Sequence, residues 1–156
     1  MKIRVKPLAV SLAIPLVLGA LSGLMAREGM AAFAALKKPP LTPPGWVFPV
    51  VWTILYAMMG YASYLVYTSG GSKGAVRVAL AAYGVSLAVN LLWPQLFFVQ
   101  GAYMAAFLLL CALFVLVLWT AHLFGALAPT AGALLVPYLI WIAFAGYLNL
   151  GIARLN

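Results

Sequence analysis

The stretch "KKPPLTPPGWVFPVVW", Lys37 to Trp52, contains five prolines, one glycine and two tryptophans between two long apolar segments. Proline fixes φ and removes an amide donor, so the run from Pro39 to Pro44 cannot continue a helix. The residue before each proline is pushed towards an extended conformation. The sequence therefore predicts a stiff connection, and the aromatic residues that follow it suit either a cover over a helix bundle or an interfacial belt.

The segments on both sides of this connection are poor in charge. Charged residues make up 6% of the 156-residue chain, whereas soluble domains have about a quarter. No Asp, Glu, Lys or Arg lies between Val78 and Ala153, a length sufficient for three membrane crossings of about 20 residues each. The sequence predicts an integral, multi-pass membrane protein, and which membrane holds it stays open.

Five apolar segments are each near the length that crosses a bilayer as a helix. Short connections after the second, third and fourth segments favour antiparallel neighbours. The predicted fold class is an all-α membrane protein, a single domain over residues 1–156 in which the proline-rich first loop lies over a ligand cavity. The first segment is expected to be a retained helix rather than a cleaved signal. The predicted spans are residues 7–26, 45–68, 78–99, 102–124 and 131–153.

The composition argues against conventional catalysis. Glu28 is the only carboxylate side chain, so a catalytic pair of carboxylates within one chain is excluded. His122 and Cys111 lie on one predicted helix about 16 Å apart by helical rise, too far for a dyad. No metal or other cofactor is expected. The nine basic residues are scattered, which favours contact with membrane lipid headgroups over nucleic acid.

Polar and aromatic residues recur at helical spacing inside three predicted spans. Buried amide and indole N–H groups need partners, either within the bundle or on a ligand. Ordinary interhelical packing is the alternative for any one of these residues. Three such faces beneath a stiff connection favour an aromatic-lined cavity, which suits a flat or bulky hydrophobic ligand. The faces comprise Trp52 and Tyr56 in the second span, Asn90, Trp93 and Phe97 in the third, and Tyr138, Trp141, Ala145, Leu148 and Asn149 in the fifth.

The first span contains "GALSG", in which Gly19 and Gly23 are four residues apart. This spacing permits close approach of two helices. The approach can join two copies of the chain in a homodimer, or two helices of one chain, and the sequence leaves both open.

Three blocks of the sequence together resemble the translocator protein family, also called TspO/MBR proteins, tryptophan-rich sensory proteins or peripheral-type benzodiazepine receptors. They occur in the family's order and cover about 40% of the chain. The five-span layout is similar over the whole length. The blocks are "KPPLTPPGWVFPVVWTILYAMMGYASYLVY" (Lys38–Tyr67), "NLLWPQLFF" (Asn90–Phe98) and "LLVPYLIWIAFAGYLNLGIARLN" (Leu134–Asn156).

The resemblance implies a five-helix bundle, often dimeric, with a ligand cavity beneath the first loop. It implies binding of porphyrins and, in many members, of cholesterol and synthetic drugs. Some bacterial relatives degrade porphyrin in light, and the two tryptophans tied to that reaction match Trp52 and Trp141. Positions that match the cavity are Trp52, Asn90, Trp93, Trp141, Ala145 and Leu148, and Pro44, Gly45, Trp46 and Phe48 match its cover and the entrance of the second helix.

The chain departs from the family's pattern at several positions. Ala32 and Phe33 stand where a Trp-Tyr pair is usual, and Leu41 stands at a frequent Trp position. Loop aromatics that would stack on a macrocycle are therefore missing, which argues against efficient photochemistry. Leu150 stands where the proposed sterol motif has Tyr, which argues against specific cholesterol recognition.

The resulting prediction is an integral membrane binding protein for porphyrins and similar hydrophobic ligands, acting as sensor, scavenger or carrier. One alternative is a light-dependent porphyrin-degrading enzyme in which Trp52 and Trp141 act on the ligand. Another alternative is a transporter of lipids or sterols. The predicted ligand-binding residues are Trp46, Phe48, Trp52, Asn90, Trp93, Tyr138, Trp141, Ala145 and Leu148.

Overall fold

The computed structural model describes residues 2–156, and helices occupy most of that range. Five helical segments are long and apolar enough to cross a membrane. The predicted all-α fold class and the five predicted spans are confirmed, with bounds that differ by a few residues. The helices are α1 (Val5–Met25), α2 (Arg27–Phe33), α3 (Val47–Tyr67), α4 (Lys73–Pro94), a π-helix (Gln95–Val99), α5 (Tyr103–Leu127), α6 (Pro129–Leu134) and α7 (Val136–Leu155).

The first connection contains a helix that the prediction missed. Arg27–Phe33 forms α2 directly after α1, because "REGMAAF" has no proline and is rich in good helix formers. Its acidic residue, Glu28, lies in the first turn, where the helix dipole favours negative charge. The prolines act only from Pro39 onward, and Thr42 Oγ1 donates to the Pro39 carbonyl at 2.7 Å to close a turn.

Two prolines interrupt spans that the prediction treated as continuous helices. Pro94 has no amide hydrogen for the preceding turn, and the third span continues from there as the π-helix, in which Gln100 N donates to Gln95 O at 3.0 Å. The fifth span is divided at Leu135 into α6 and α7, with Pro137 in the first turn of α7, a position that tolerates the missing donor. At both interruptions the regular α-helical repeat is broken, so the side chains that follow point in other directions than they would on a continuous α-helix.

Glycines set the closest contact between α1 and α3. A Cβ atom at Gly60 would lie 2.6 Å from the Ser11 carbonyl oxygen and 2.8 Å from Leu12 Cα. A Cβ at Gly19 would meet the ring of Tyr56, whereas at Gly23 it would meet nothing within 4 Å. Gly19 thus makes room for a side chain of its own molecule. A homodimer through the Gly19/Gly23 face stays a prediction.

The alternating direction of the spans brings several segments to one end of the bundle. We call it the loop end. It contains α2 and the proline-rich connection, the start of α3, the π-helix and the final turns of α7. The opposite end includes the start of α1, where Arg4 N donates to the Tyr64 hydroxyl at 2.9 Å.

Candidate functional site

Aromatic side chains from α3 and α7 meet towards the loop end. The rings of Trp52 and Trp141 are in edge contact, with centroids 6.5 Å apart and planes at 86°. Phe48 contacts Trp141 at 5.9 Å, Trp52 stacks on Tyr56 at 5.6 Å, and Tyr138 contacts Trp52 at 6.2 Å. These five residues form what we call the aromatic site. Its rings contact one another at the place where the sequence predicts a ligand cavity.

Asn90 of α4 holds two of these rings in place. Its Oδ1 accepts a hydrogen bond from the Tyr56 hydroxyl at 2.8 Å, and its Nδ2 donates to the Tyr138 hydroxyl at 2.5 Å. Asn90 and Tyr138 are each only 2% exposed. An apolar interior strengthens such bonds and makes their loss costly. The carboxamide therefore ties α3, α4 and α7 together beneath the two tryptophans.

A second aromatic group lies beside the π-helix. The Trp93 indole N–H donates to Asn149 Oδ1 at 3.0 Å, and Asn149 Nδ2 donates to the Tyr103 carbonyl at 2.7 Å. Trp93 also stacks on Phe97 with centroids 5.1 Å apart. The predicted inward faces of the third and fifth spans thus contact each other through this amide as well as through Asn90.

Phe33 of α2 joins the two aromatic groups. Its ring contacts Phe48 at 5.9 Å on one side, and Phe97 at 6.2 Å and Phe98 at 5.9 Å on the other. These contacts require close packing of α2 on the π-helix. Gly29 allows this packing, because a Cβ atom there would overlap the Phe98 backbone. Phe33 is not among the predicted site residues. The one signal for it in the sequence is its place at the family's usual Trp-Tyr pair.

The proline-rich connection is fastened to the end of α7. The Asn156 side chain accepts from Lys37 N at 3.0 Å and donates to Lys37 O at 2.8 Å. The Tyr147 hydroxyl donates to Pro40 O at 2.9 Å. Pro39 is buried where Gly151 leaves room for its ring. We call these contacts the loop clamp.

Asn156→Ala is expected to loosen the connection without unfolding the bundle, because it removes both hydrogen bonds to the Lys37 backbone and one to the Ile152 carbonyl within α7. Limited proteolysis within residues 34–46 should become several-fold faster, since cleavage follows local opening. Gln100→Ala, at another exposed residue of the loop end, is the matched control and should leave the cleavage rate unchanged. Equal rates for Asn156→Ala and wild type would show that the clamp does not restrain the loop.

Trp141 has a property that none of the other predicted residues shares. Its indole Nε1 is buried and has no hydrogen-bond partner among residues 2–156. The ring also forms part of an apolar groove of about 310 Å³ on the outside of the bundle. Trp141 thus belongs both to the aromatic site and to the lining of this groove, and its buried N–H has no acceptor among residues 2–156. The groove is lined by Val51, Ile54, Leu55, Met58, Pro137, Ile140 and Trp141.

The structure brings five of the nine predicted ligand-binding residues into direct contact. They are Phe48, Trp52, Asn90, Tyr138 and Trp141. Trp93 belongs to the neighbouring group, and Ala145 and Leu148 are buried on α7. Trp46 lies outside the site with 69% of its surface exposed, because it precedes the first turn of α3. An exposed indole there suits a membrane interface.

Nonpolar rings and amides dominate the chemistry of the site. Within residues 2–156, no three His, Cys, Asp or Glu side chains come together as metal ligands. The arrangement combines aromatic ring surfaces with one buried indole N–H, that of Trp141, for which residues 2–156 provide no acceptor.

Comparisons with known proteins find similar sequences over most of the chain. The TspO/MBR family model matches residues 11–155. The chain is 39% identical to Tryptophan-rich protein TspO of Chlorobaculum tepidum, over 80% of this chain and 78% of that protein. It is 40% identical to Translocator protein of Homo sapiens, over 83% and 77% of the two chains. It is also 40% identical to Tryptophan-rich sensory protein of Cereibacter sphaeroides, over 78% and 74%.

Proposed function

The chain belongs to the TspO/MBR family, and from that premise we propose that it is a membrane-embedded binding protein for porphyrins and similar flat hydrophobic ligands. It is an integral membrane protein with five spans. In this proposal it acts as a sensor, scavenger or carrier, and the ligand lies against the aromatic site.

The observation that supports this proposal best is the unpartnered indole N–H of Trp141 beside Trp52 and Phe48. A buried donor without a partner costs about 1–3 kcal/mol. A ligand that carries an acceptor atom on a flat apolar body would satisfy this donor and gain stacking contacts at the same time. Porphyrins have such a body, with polar atoms at the ring and its edge.

Trp141→Phe is expected to weaken the binding of protoporphyrin IX about three- to tenfold, because it removes the indole donor and part of the stacking surface. Titration of the purified protein in the dark, followed by tryptophan quenching, measures this change. Trp119→Phe is the matched control, because Trp119 is 56% exposed on α5 and takes no part in the described ring contacts. That variant should bind as wild type does.

Saturable quenching in wild type with an equal loss of affinity in both variants would place the ligand away from the aromatic site. Absence of saturable quenching in wild type would remove the proposal. Transport of lipids or sterols would then be the better hypothesis. Its test is whether the protein, reconstituted in vesicles, moves a lipid or sterol between the two leaflets.

Direct contact between Trp52 and Trp141 supports a second candidate function, the light-dependent degradation of porphyrin by dioxygen. Both indoles would lie against a ligand excited by light and within reach of one another. Product formation that requires light and oxygen, and that falls in Trp141→Phe at saturating ligand, would favour this enzyme. Bleaching no faster than that of free porphyrin would leave binding alone.

A further inference from the structure

Positive charge collects at the end of the bundle opposite the loop end, which we call the basic end. The start of α1, the end of α3 and the start of α4 lie there. Arg4 connects the first two of these through its bond to Tyr64, and the short connection after Tyr67 leads into α4. Glu28, the only acidic side chain of the chain, lies at the loop end instead. The basic residues of this end are Lys2, Arg4, Lys6, Lys73 and Arg77.

Two of these cations lie where a helix dipole disfavours them. The N-terminus of a helix attracts negative charge, and its C-terminus attracts positive charge. Lys6 lies in the first turn of α1 and Lys73 in the first turn of α4, and neither turn contains an acidic residue. The loop end follows the dipole rule, with Glu28 in the first turn of α2 and Arg154 in the last turn of α7. The basic end therefore has a positive charge that its own side chains do not balance.

Arg4 has the best defined position among these cations. Its backbone N–H donates to the Tyr64 hydroxyl at 2.9 Å, and its guanidinium carbon lies 5.8 Å from the centroid of the Tyr67 ring. A cation over an aromatic face is attracted to it. A guanidinium group has five N–H donors, and none of those of Arg4 has an acceptor in the part of the chain that the structure describes. Arg4 thus presents an unused set of donors beside a ring that orients it.

The Tyr64 hydroxyl adds one more donor next to Arg4. Tyr64 is buried, and its oxygen accepts the bond from Arg4 N. Its own proton has no acceptor from residue 2 onward, although buried polar groups usually have partners. A guanidinium group and a hydroxyl donor at the rim of an apolar bundle suit an oxyanion, and a guanidinium matches two oxygens of a phosphate at once.

We propose that the basic end binds the phosphate group of an anionic phospholipid, with the Arg4 guanidinium as its main ligand. The chain spans a membrane, so its ends lie among lipid headgroups, and basic residues near the surface attract anionic lipids. A zwitterionic lipid has the same phosphate, but its ammonium group would be repelled by the surrounding cations. This inference goes beyond the proposed function and does not depend on it.

The test titrates phosphatidylglycerol and phosphatidylcholine with identical acyl chains into the full chain in an uncharged detergent. Native mass spectrometry measures the fraction of protein with bound lipid. Wild type is expected to bind phosphatidylglycerol about tenfold more tightly than phosphatidylcholine. In Arg4→Gln this preference should fall to about twofold, because the charge and the paired donors are both lost. Arg4→Lys keeps the charge without the paired donors, and its preference should be intermediate, about fourfold.

Arg154→Gln is the matched control, because it removes the same charge from an exposed arginine at the loop end. This variant should keep the full preference for phosphatidylglycerol. Thermal unfolding gives a second readout, since a ligand that binds the native state stabilises it. Phosphatidylglycerol should raise the unfolding temperature of wild type and of Arg154→Gln more than that of Arg4→Gln. Inorganic phosphate at millimolar concentration has no acyl chains and should not displace the lipid.

Three results would overturn the inference. Equal affinity of wild type for the two lipids would mean that the basic end does not recognise a net negative headgroup. Equal losses in Arg4→Gln and Arg154→Gln would mean that positive charge anywhere on the chain attracts the lipid. Displacement of the lipid by millimolar phosphate would mean that the site takes free anions and does not select a lipid. The aromatic site lies at the other end of the bundle, so none of these results would count against the proposed porphyrin binding.

Discussion

Gly60→Ala is expected to destabilise the bundle by about 3 kcal/mol. The new Cβ would lie 2.6 Å from the Ser11 carbonyl oxygen and 2.8 Å from Leu12 Cα. Both atoms belong to the backbone of α1, so no side-chain rotation relieves the overlap, and the two helices must separate. Overpacking of a close-packed interior typically costs about 1–3 kcal/mol, and a contact with backbone belongs at the upper end of that range.

Thermal unfolding in detergent measures this effect, with Gly84→Ala as its control. Gly84 also lies inside a membrane-spanning helix, and a Cβ there would meet nothing within 4 Å. That variant should be as stable as wild type, or more stable by up to about 1 kcal/mol, since alanine favours a helix over glycine. Similar unfolding temperatures for the two variants would mean that α1 and α3 are not in close backbone contact at Gly60.

Asn90→Leu is the second change with a large expected effect: the free energy of unfolding should fall by about 2–5 kcal/mol, and the proposed porphyrin binding should weaken. The substitution keeps the branched shape and the number of side-chain heavy atoms, and it leaves the hydroxyls of Tyr56 and Tyr138 without their shared partner. Each buried hydroxyl left unpaired costs about 1–3 kcal/mol. Binding should weaken because both tyrosines contact Trp52. Tyrosine rings that reorient to pair their hydroxyls would displace the Trp52 ring.

A combined variant separates lost hydrogen bonds from lost packing. Asn90→Leu with Tyr56→Phe and Tyr138→Phe removes every member of the group at once. Replacement of all partners by apolar groups of similar shape can be nearly neutral, so this variant should recover most of the stability. If it unfolds at the same temperature as Asn90→Leu alone, the amide contributes through its shape rather than through its bonds.

The five spans were predictable because few kinds of backbone structure can cross a bilayer. Hydrocarbon requires about 20 apolar residues with every backbone group paired, and the predicted span 102–124 lies almost entirely within α5 (Tyr103–Leu127). Hydropathy does not distinguish one kind of helix from another. It therefore missed α2, the π-helix after Pro94 and the break at Leu135, all of which depend on single prolines or on their absence.

The aromatic site was predictable to the extent that it follows helical spacing. Residues three, four or seven positions apart share a face, which placed Asn90 with Trp93, and Tyr138 with Trp141, before any contact was known. Spacing does not say how far each helix is rotated against its neighbour, so the bond from Trp93 to Asn149 was not predictable. The places of Trp46 and Phe33 depend on the path of the first connection, which has no periodicity.

The loop clamp also determines when the site is completed during synthesis. Lys37 and Asn156 are 119 positions apart, and contacts between distant residues form late because a long loop must close first. Earlier spans can be inserted and paired as they leave the ribosome. A nascent chain that already includes Trp52 and Trp141 still has a loose first connection until Asn156 has been added. If the protein binds porphyrin as proposed, chains that end before Asn156 are therefore expected to bind it more weakly than chains that include this residue.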